Sequence, residues 1–371
     1  MSATRPPIRV LHVIHHLQPG GMEYGLIKIV NGLVGSGVES TICSTTTANP
    51  TMRALLHPSV GLIELTRRPG NDPRLVWQLY RTFRRERPDI VHTHAWGTLV
   101  EGFVAARLAR VPVVMHGEHG TLQLGASQVR VQRWIWPRVD VLLSVSSRLA
   151  ERMAATVGIP LERVTVVRNG VDLSRFGTTP RAAARHALGV PDDLVLIGHA
   201  GRLVPVKDQA GLVEAAARLK AQGLAFRVVI AGDGPLRPDL EAQIAALEVG
   251  ECVHLLGHQA DVERLFAALD VYVLCSRSEG MPNTILEAMA SGVAVVSTRV
   301  GGADELVVDG ETGCLVPPAQ PAALADAIGR LVSDASARER MGRMGRQRAT
   351  TTFGLPTMIA GYEAVYAGAT R

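Results

Sequence analysis

Glu279 and Glu287 lie in the segment SEGMPNTILEAMA (278–290), and the residues between them set what each carboxylate can do. Gly280-Met281-Pro282 does not easily continue a helix, so Glu279 belongs to a loop. Pro282 suits a first helical turn, and Asn283 or Thr284 can cap it. Backbone N–H groups at such a start attract a phosphate. Glu287, about one turn inside the helix, offers its carboxylate to ligand hydroxyls. Either glutamate alone reads as an exposed surface acid; the ensemble is more specific.

Gly201-Arg202-Leu203-Val204-Pro205-Val206-Lys207-Asp208 sets two cations five residues apart on one loop. Arg202 could grip a diphosphate as a fork while Lys207 acts as a point charge, although a solvated basic loop has the same sequence. Pro19-Gly20-Gly21-Met22-Glu23 follows an expected strand and opens a helix. Its N–H groups could approach a phosphate closely, and a tight turn needing positive φ is an equal reading. Gly301-Gly302-Ala303-Asp304-Glu305 repeats that logic and carries Glu305. His92 and His94 end one expected strand, and His116 and His119 the next. Strand carboxyl ends face ligand sites, although a lone histidine there is more often a structural hydrogen bonder. No third or fourth ligand shares their spacing, so no metal site is expected.

The elements that must position these residues alternate along the chain. Short β-branched runs at 8–14, 89–92, 112–115 and 139–145 read as buried parallel strands. Residues 24–34, 74–85 and 98–109 show helical apolar spacing. A second series of strands follows at 194–199, 227–231, 252–256, 271–274 and 293–297, again with helices between. Such alternation predicts an α/β protein of two Rossmann-like doubly wound domains. Their strand ends are expected to face each other across a cleft. The boundaries expected are 1–175 for the first domain and 176–352 for the second, with a terminal helix at 353–371 crossing back to the first.

A chain of 371 residues suits two cores rather than one, and 47% apolar residues with 4% aromatics fit a folded globular protein. No uninterrupted apolar run approaches the ~18 residues a membrane span requires. The first nine residues are too short and polar for a secretory signal. Cys43, Cys252, Cys275 and Cys314 show neither disulfide nor metal spacing, which fits a reducing, cytoplasmic setting. Residues 1–172 hold 20 Lys+Arg against 12 Asp+Glu, and the remainder 19 against 22, so the first half is the basic one. Within it, 74–87 is an amphipathic helix with Leu75, Leu79 and Phe83 inside and Arg81, Arg84, Arg85 and Arg87 outside. Residues 130–138 (RVQRWIWPR) interleave Trp134 and Trp136 with arginines. Both stretches suit a peripheral contact with anionic lipid, and both also fit ordinary helices with solvated faces. Nucleic acid is not expected as a partner.

Together these residues resemble the retaining GT-B glycosyltransferases of family four, also called glycosyltransferases group one, over nearly the whole chain. Glu279 to Glu287 matches that family's E-x7-E pattern, and the Gly301–Glu305 loop follows it. The resemblance implies transfer of a sugar from a nucleotide-diphosphate donor, UDP- or GDP-linked, with no metal or other cofactor. It implies that Arg202 and Lys207 hold the diphosphate, with Gly20 and Gly21 closing on it. Glu279 is then at the transferred sugar, Glu287 at the ribose, Gly280, Met281, Pro282 and Asn283 at sugar and phosphate, and His116 near the donor sugar. Met281 departs from the bulky Phe of many members. HGEHG (116–120), VKDQ (206–209) and NTILEAMASG (283–292) resemble a subgroup associated with exosortase-linked exopolysaccharide loci. That subgroup implies a lipid-linked or growing glycan as acceptor.

A nucleotide-sugar epimerase or sugar phosphorylase of the same fold is the alternative reading, and a non-catalytic nucleotide-sugar-binding scaffold is another. A nicotinamide dehydrogenase is disfavoured, because Gly232-Asp233-Gly234 lacks the rest of the G-x-G-x-x-G fingerprint.

Overall fold

The structure is a computed structural model and describes residues 6–68, 72–120 and 122–371. The chain forms two compact units, Met1–Asn169 with Leu355–Arg371, and Gly170–Gly354. The expected boundary at 175/176 lies six residues late. Val171 donates its N–H to Phe353 O at 2.9 Å, which ties the residues just before 176 to the second unit.

Unit 1 carries a parallel sheet of seven strands: β1 (Ile8–Ile14), β2 (Val38–Ser44), β3 (Gly61–Glu64), β4 (Ile90–His94), β5 (Val113–Glu118), β6 (Val141–Ser144) and β7 (Val164–Val166). Their order is β3-β2-β1-β4-β5-β6-β7. β4 and β5 are buried along their whole length, because helices cover both faces of a parallel sheet. Helix Leu355–Ala369 completes one face: Met358, Ile359, Tyr362 and Tyr366 pack with Val10, Ile90, Val113 and Met115. Gly32 ends helix Gly21–Gly32 where a Cβ would overlap Ile359, so glycine lets the two helices approach closely.

Unit 2 repeats the plan with β8 (Val195–Ala200), β9 (Phe226–Ala231), β10 (Val253–Gly257), β11 (Val271–Leu274), β12 (Ala294–Thr298) and β13 (Gly313–Val316). The order β10-β9-β8-β11-β12-β13 is again parallel throughout. Its core runs from Ile197, Val228, Val273 and Val296 to helices Gln209–Ala221 and Pro321–Ser333. Arg185, fully buried, pairs with Asp270 at 2.9 Å and anchors helix Arg181–Ala187 at the amino-terminal side of β11. In both sheets the strand order reverses beside the first strand of the unit, the place where open α/β sheets bind ligands at strand carboxyl ends. Among the described residues no helix is long and apolar enough to cross a membrane.

Candidate functional site

In unit 2, three loops leave the carboxyl ends of β8, β11 and β12 and hold one another in place. Lys207 ends the first and Glu279 lies on the second; Lys207 Nζ donates to Glu279 Oε1 at 2.6 Å. Ser276 Oγ donates to the same oxygen, also at 2.6 Å. Glu279 Oε2 accepts no hydrogen bond among the described residues, so that oxygen is left for a ligand hydroxyl. An ammonium has three donors, so Lys207 keeps capacity for an anion after pairing. Arg202 is exposed, and its guanidinium pairs with nothing among the described residues.

The Arg202–Lys207 loop is fixed from beneath. Buried His199 donates Nδ1–H to Val273 O at 3.0 Å, and its Nε2 faces the Gln209 amide at 3.2 Å. Gln209 Nε2 then donates to Arg202 O at 2.9 Å. Arg277 ties the second loop to the first through Asp208 at 3.0 Å, and its backbone N–H reaches Val206 O at 2.8 Å. Gly232 and Gly234 press on the same loop; a Cβ at either would overlap the backbone of Gly201 or Leu203. Their role is close packing under the cationic loop.

Gly301 and Gly302 belong with Glu279. Gly302 donates its N–H to Gly280 O at 2.6 Å, and Gly301 has φ +52 where a Cβ would overlap the carbonyls of Glu279 and Gly280. Helix Asn283–Ala290 starts directly after Pro282, which takes the N-cap position in place of the expected Asn283 or Thr284. Met281 is buried and Glu287 half-buried within that helix. Glu305 lies in the first turn of the short helix Ala303–Leu306, and its backbone carbonyl accepts from Arg348 at 2.8 Å. Unit 2 thus brings Lys207, Glu279 and Gly280 together with Gly301 and Gly302 at the carboxyl ends of β8, β11 and β12, with Arg202 on the first of these loops; Met281 and Pro282 lead into the helix that carries Asn283 and Glu287, and Glu305 lies on the helix after β12.

Gly20, Gly21 and His116 belong to unit 1. Gly20 is extended at φ −171, so positive φ is not the reason for glycine there; a Cβ would overlap the carboxylate of buried Glu23. Glu23 pairs with His16 at 3.1 Å. His116 is fully buried, with Nδ1 at 2.9 Å from Thr93 Oγ1, Nε2 at 3.2 Å from Glu118 Oε1 and its ring stacked on Trp136. Trp136 is therefore core, which corrects its reading as an interfacial residue. Trp134 is 52% exposed with Arg138 over its ring. His92 and His94 face inward with His12 of β1, a third imidazole that the expectation of no metal site left out.

Residues 19–175 match the family model "Glycosyltransferase Family 4", and residues 180–348 match "Glycosyl transferases group 1". A glycogen synthase from Mycobacterium tuberculosis is 32% identical over 302 residues, covering 78% of this chain and 71% of the relative. A D-inositol 3-phosphate glycosyltransferase from Xylanimonas cellulosilytica is 31% identical, covering 99% and 83%. The chain is a family four glycosyltransferase. Its fold matches the crystal structure of Anabaena Alr3699/HepE in complex with UDP and glucose, with TM-score 0.86 and 25% identity over 97% of this chain and 100% of that one. The family four glycosyltransferase therefore has the GT-B fold, two Rossmann-like domains.

The sequence reading of this glycosyltransferase missed Ser276, His199, Gln209, Gly232 and Gly234. Gly232-Asp233-Gly234 after β9 carried a usable signal, since paired glycines at a strand end mark close backbone approach. His199 and Gln209 gave none, because their partners lie on other strands and loops.

Proposed function

We propose that this glycosyltransferase takes a sugar from a nucleotide-diphosphate donor, UDP-linked in the first instance, and places it on a glycan or lipid-linked acceptor with retention at the anomeric carbon. The observation that carries the reading is the Lys207–Glu279 pair at 2.6 Å, with exposed Arg202 on the same loop. Cations there stabilise the departing diphosphate, where negative charge develops during transfer. Glu279 Oε2 orients the sugar, and Glu287 binds the ribose. With retention, front-face attack assisted by the leaving phosphate is the mechanism we favour, the Arg202 and Lys207 cations taking up the charge of the diphosphate. The donor assignment rests on unit 2 alone; Gly20, Gly21 and His116 are assigned to the same donor by resemblance. UDP and glucose bound to the Anabaena protein support the choice of nucleotide.

The acceptor is the finer part of the proposal. Relatives 32% and 31% identical to this chain are named for different acceptors, so family membership leaves it open. The segments 116–120, 206–209 and 283–292 favour exopolysaccharide assembly. A thermal-shift panel of UDP-, GDP- and ADP-sugars tests the donor, because a ligand that binds the folded state raises its stability. UDP-sugars should shift the melting temperature most, and UDP release should require acceptor. Conversion of the UDP-sugar to an epimer that stays UDP-linked, with no UDP freed, would instead establish epimerisation.

Exposed aromatics favour peripheral docking of unit 1 on anionic lipid at the cytoplasmic membrane face. Trp77 is 54% exposed, stacks on Tyr80 and lies under the Arg81 guanidinium; Trp134 lies under that of Arg138. Such pairs suit the headgroup layer. Liposome co-sedimentation should rise with anionic lipid, fall with salt and fall in Trp77→Ala. Equal partitioning to neutral and anionic vesicles would return these side chains to the solvated surface.

A further inference from the structure

The carboxyl ends of β1 and β4 in unit 1 bring three imidazoles together that the donor reading leaves unused. His12 and His92 are register partners on adjacent strands, and His94 follows His92 on the same face. All three are essentially without solvent exposure. Their rings stand 4.1 to 5.5 Å apart, centroid to centroid, and one nitrogen from each lies within 4.8 Å of the other two. His12 Nδ1 and His94 Nε2 are 3.0 Å apart.

The outer nitrogens are already fixed. His94 Nδ1 is 2.9 Å from His119 Nε2, and His92 Nδ1 is 3.0 Å from the Tyr366 hydroxyl. When each Nδ1 carries its proton toward that partner, each Nε2 presents a lone pair inward. This is the way metal-ligating histidines are oriented by their outer hydrogen bonds. Two nitrogens of the cluster are not satisfied by protein. His92 Nε2 and His12 Nε2 are buried without a hydrogen-bond partner among the described residues, where buried polar atoms are normally paired. Gly117 keeps the space beside His92 Nε2 open, since a Cβ there would stand 2.9 Å from that nitrogen.

We propose that His12, His92 and His94 form a three-histidine site, with one open coordination position, for a divalent transition-metal cation of the zinc class inside unit 1. Zn–N bonds of about 2.0–2.1 Å put ligand nitrogens roughly 3.4 Å apart around a tetrahedral ion. The His12–His94 spacing is already close to that, and small ring rotations bring in His92. Water completes the coordination. Imidazole ligands select Zn2+, Co2+, Ni2+ or Cu2+, whereas Mg2+ and Ca2+ need oxygen donors that the three rings do not supply. The site is separate from the donor loops and does not depend on their assignment.

The test uses tag-free full-length protein stripped with chelator and titrated with Co2+, Zn2+ or Mg2+ alone. Co2+ should give the intense visible absorption of a four-coordinate ion, saturating at one per chain, and Zn2+ but not Mg2+ should raise the melting temperature. His92→Gln and His12→Gln should each weaken Zn2+ binding by more than ~100-fold, the upper cost of losing an outer partner, and Tyr366→Phe by about 10–100-fold. A far-UV circular dichroism spectrum and a cooperative melt like those of the metal-free wild type report that the variants are folded. Wild type with no saturable Co2+ absorption overturns the proposal without recourse to any variant. So does Zn2+ affinity unchanged in both glutamine variants, which would assign binding to surface histidines such as His57 or His258.

Discussion

The seven-stranded and six-stranded sheets arrange their strands in the same order about the first strand of each unit, yet the side chains at their carboxyl ends differ in kind. Unit 1 gathers imidazoles (His12, His92, His94 and His116), all buried and held by each other or by Thr93, Glu118 and Tyr366. Unit 2 gathers charges on loops: exposed Arg202, and Lys207 on Glu279. The shared topology fixes where chemistry is placed, and the loop sequences decide which chemistry it is. Unit 2 presents cations on its loops, and unit 1 buries its imidazoles.

The sharpest way to break that contrast is to discharge the loop in unit 2. Lys207→Ala and Arg202→Ala should each lower turnover by about tenfold to a thousandfold, as loss of one charge-stabilising donor does. Near-normal kcat in both would remove the anion site from unit 2. The two glutamates should then separate. Glu279→Gln should mainly lower kcat, because its sugar contact matters most as positive charge builds at the anomeric carbon. Glu287→Gln should mainly raise KM for donor, since a ribose contact is alike in ground and transition states. Kinetics with donor varied at saturating acceptor decide this, and the opposite split reverses the two roles.

Smaller effects test how the loops are held. Gly301→Ala puts a Cβ against the Glu279 and Gly280 carbonyls at positive φ, and should cost on the order of 1–3 kcal/mol in denaturant unfolding. No change would mean that the β12 loop does not brace the β11 loop. The smallest expected effect is acidic. Burial lowers His199 to about 4, from 6.5, with Lys207 adding to the shift. The unfolded chain therefore binds the extra proton first, so stability falls as pH drops from about 6.5 toward 4. His199→Gln should flatten that slope in thermal melts; an unchanged slope would locate the acid sensitivity elsewhere.

What could be read from sequence follows from burial on both faces. β1, β8, β9 and β11 are near-continuous apolar runs and were expected within a residue or two of where they lie. β2, with Glu39 exposed, and the short strands β3, β7 and β13 lack such runs and were not foreseen. The residues proposed for the donor stood out because each motif is local. The Lys207–Glu279 contact spans 72 positions and depends on β8 lying beside β11. His12 joins His92 only through the register of β1 on β4. Trp134 and Trp136 were separable in principle, since residues two apart on a helix point about 200° apart and cannot share a face.

Helix Leu355–Ala369 carries a consequence for how the chain is made. It completes the core of unit 1 and supplies Tyr366 beside His92, but it follows the whole of unit 2 in sequence. At ~5–20 residues per second, residues 170–354 take on the order of ten to forty seconds to synthesise. During that interval unit 1 waits on the ribosome with the Val10, Ile90 and Met115 surface uncovered, while unit 2 emerges as one continuous stretch. The domain translated first is thus the one finished last.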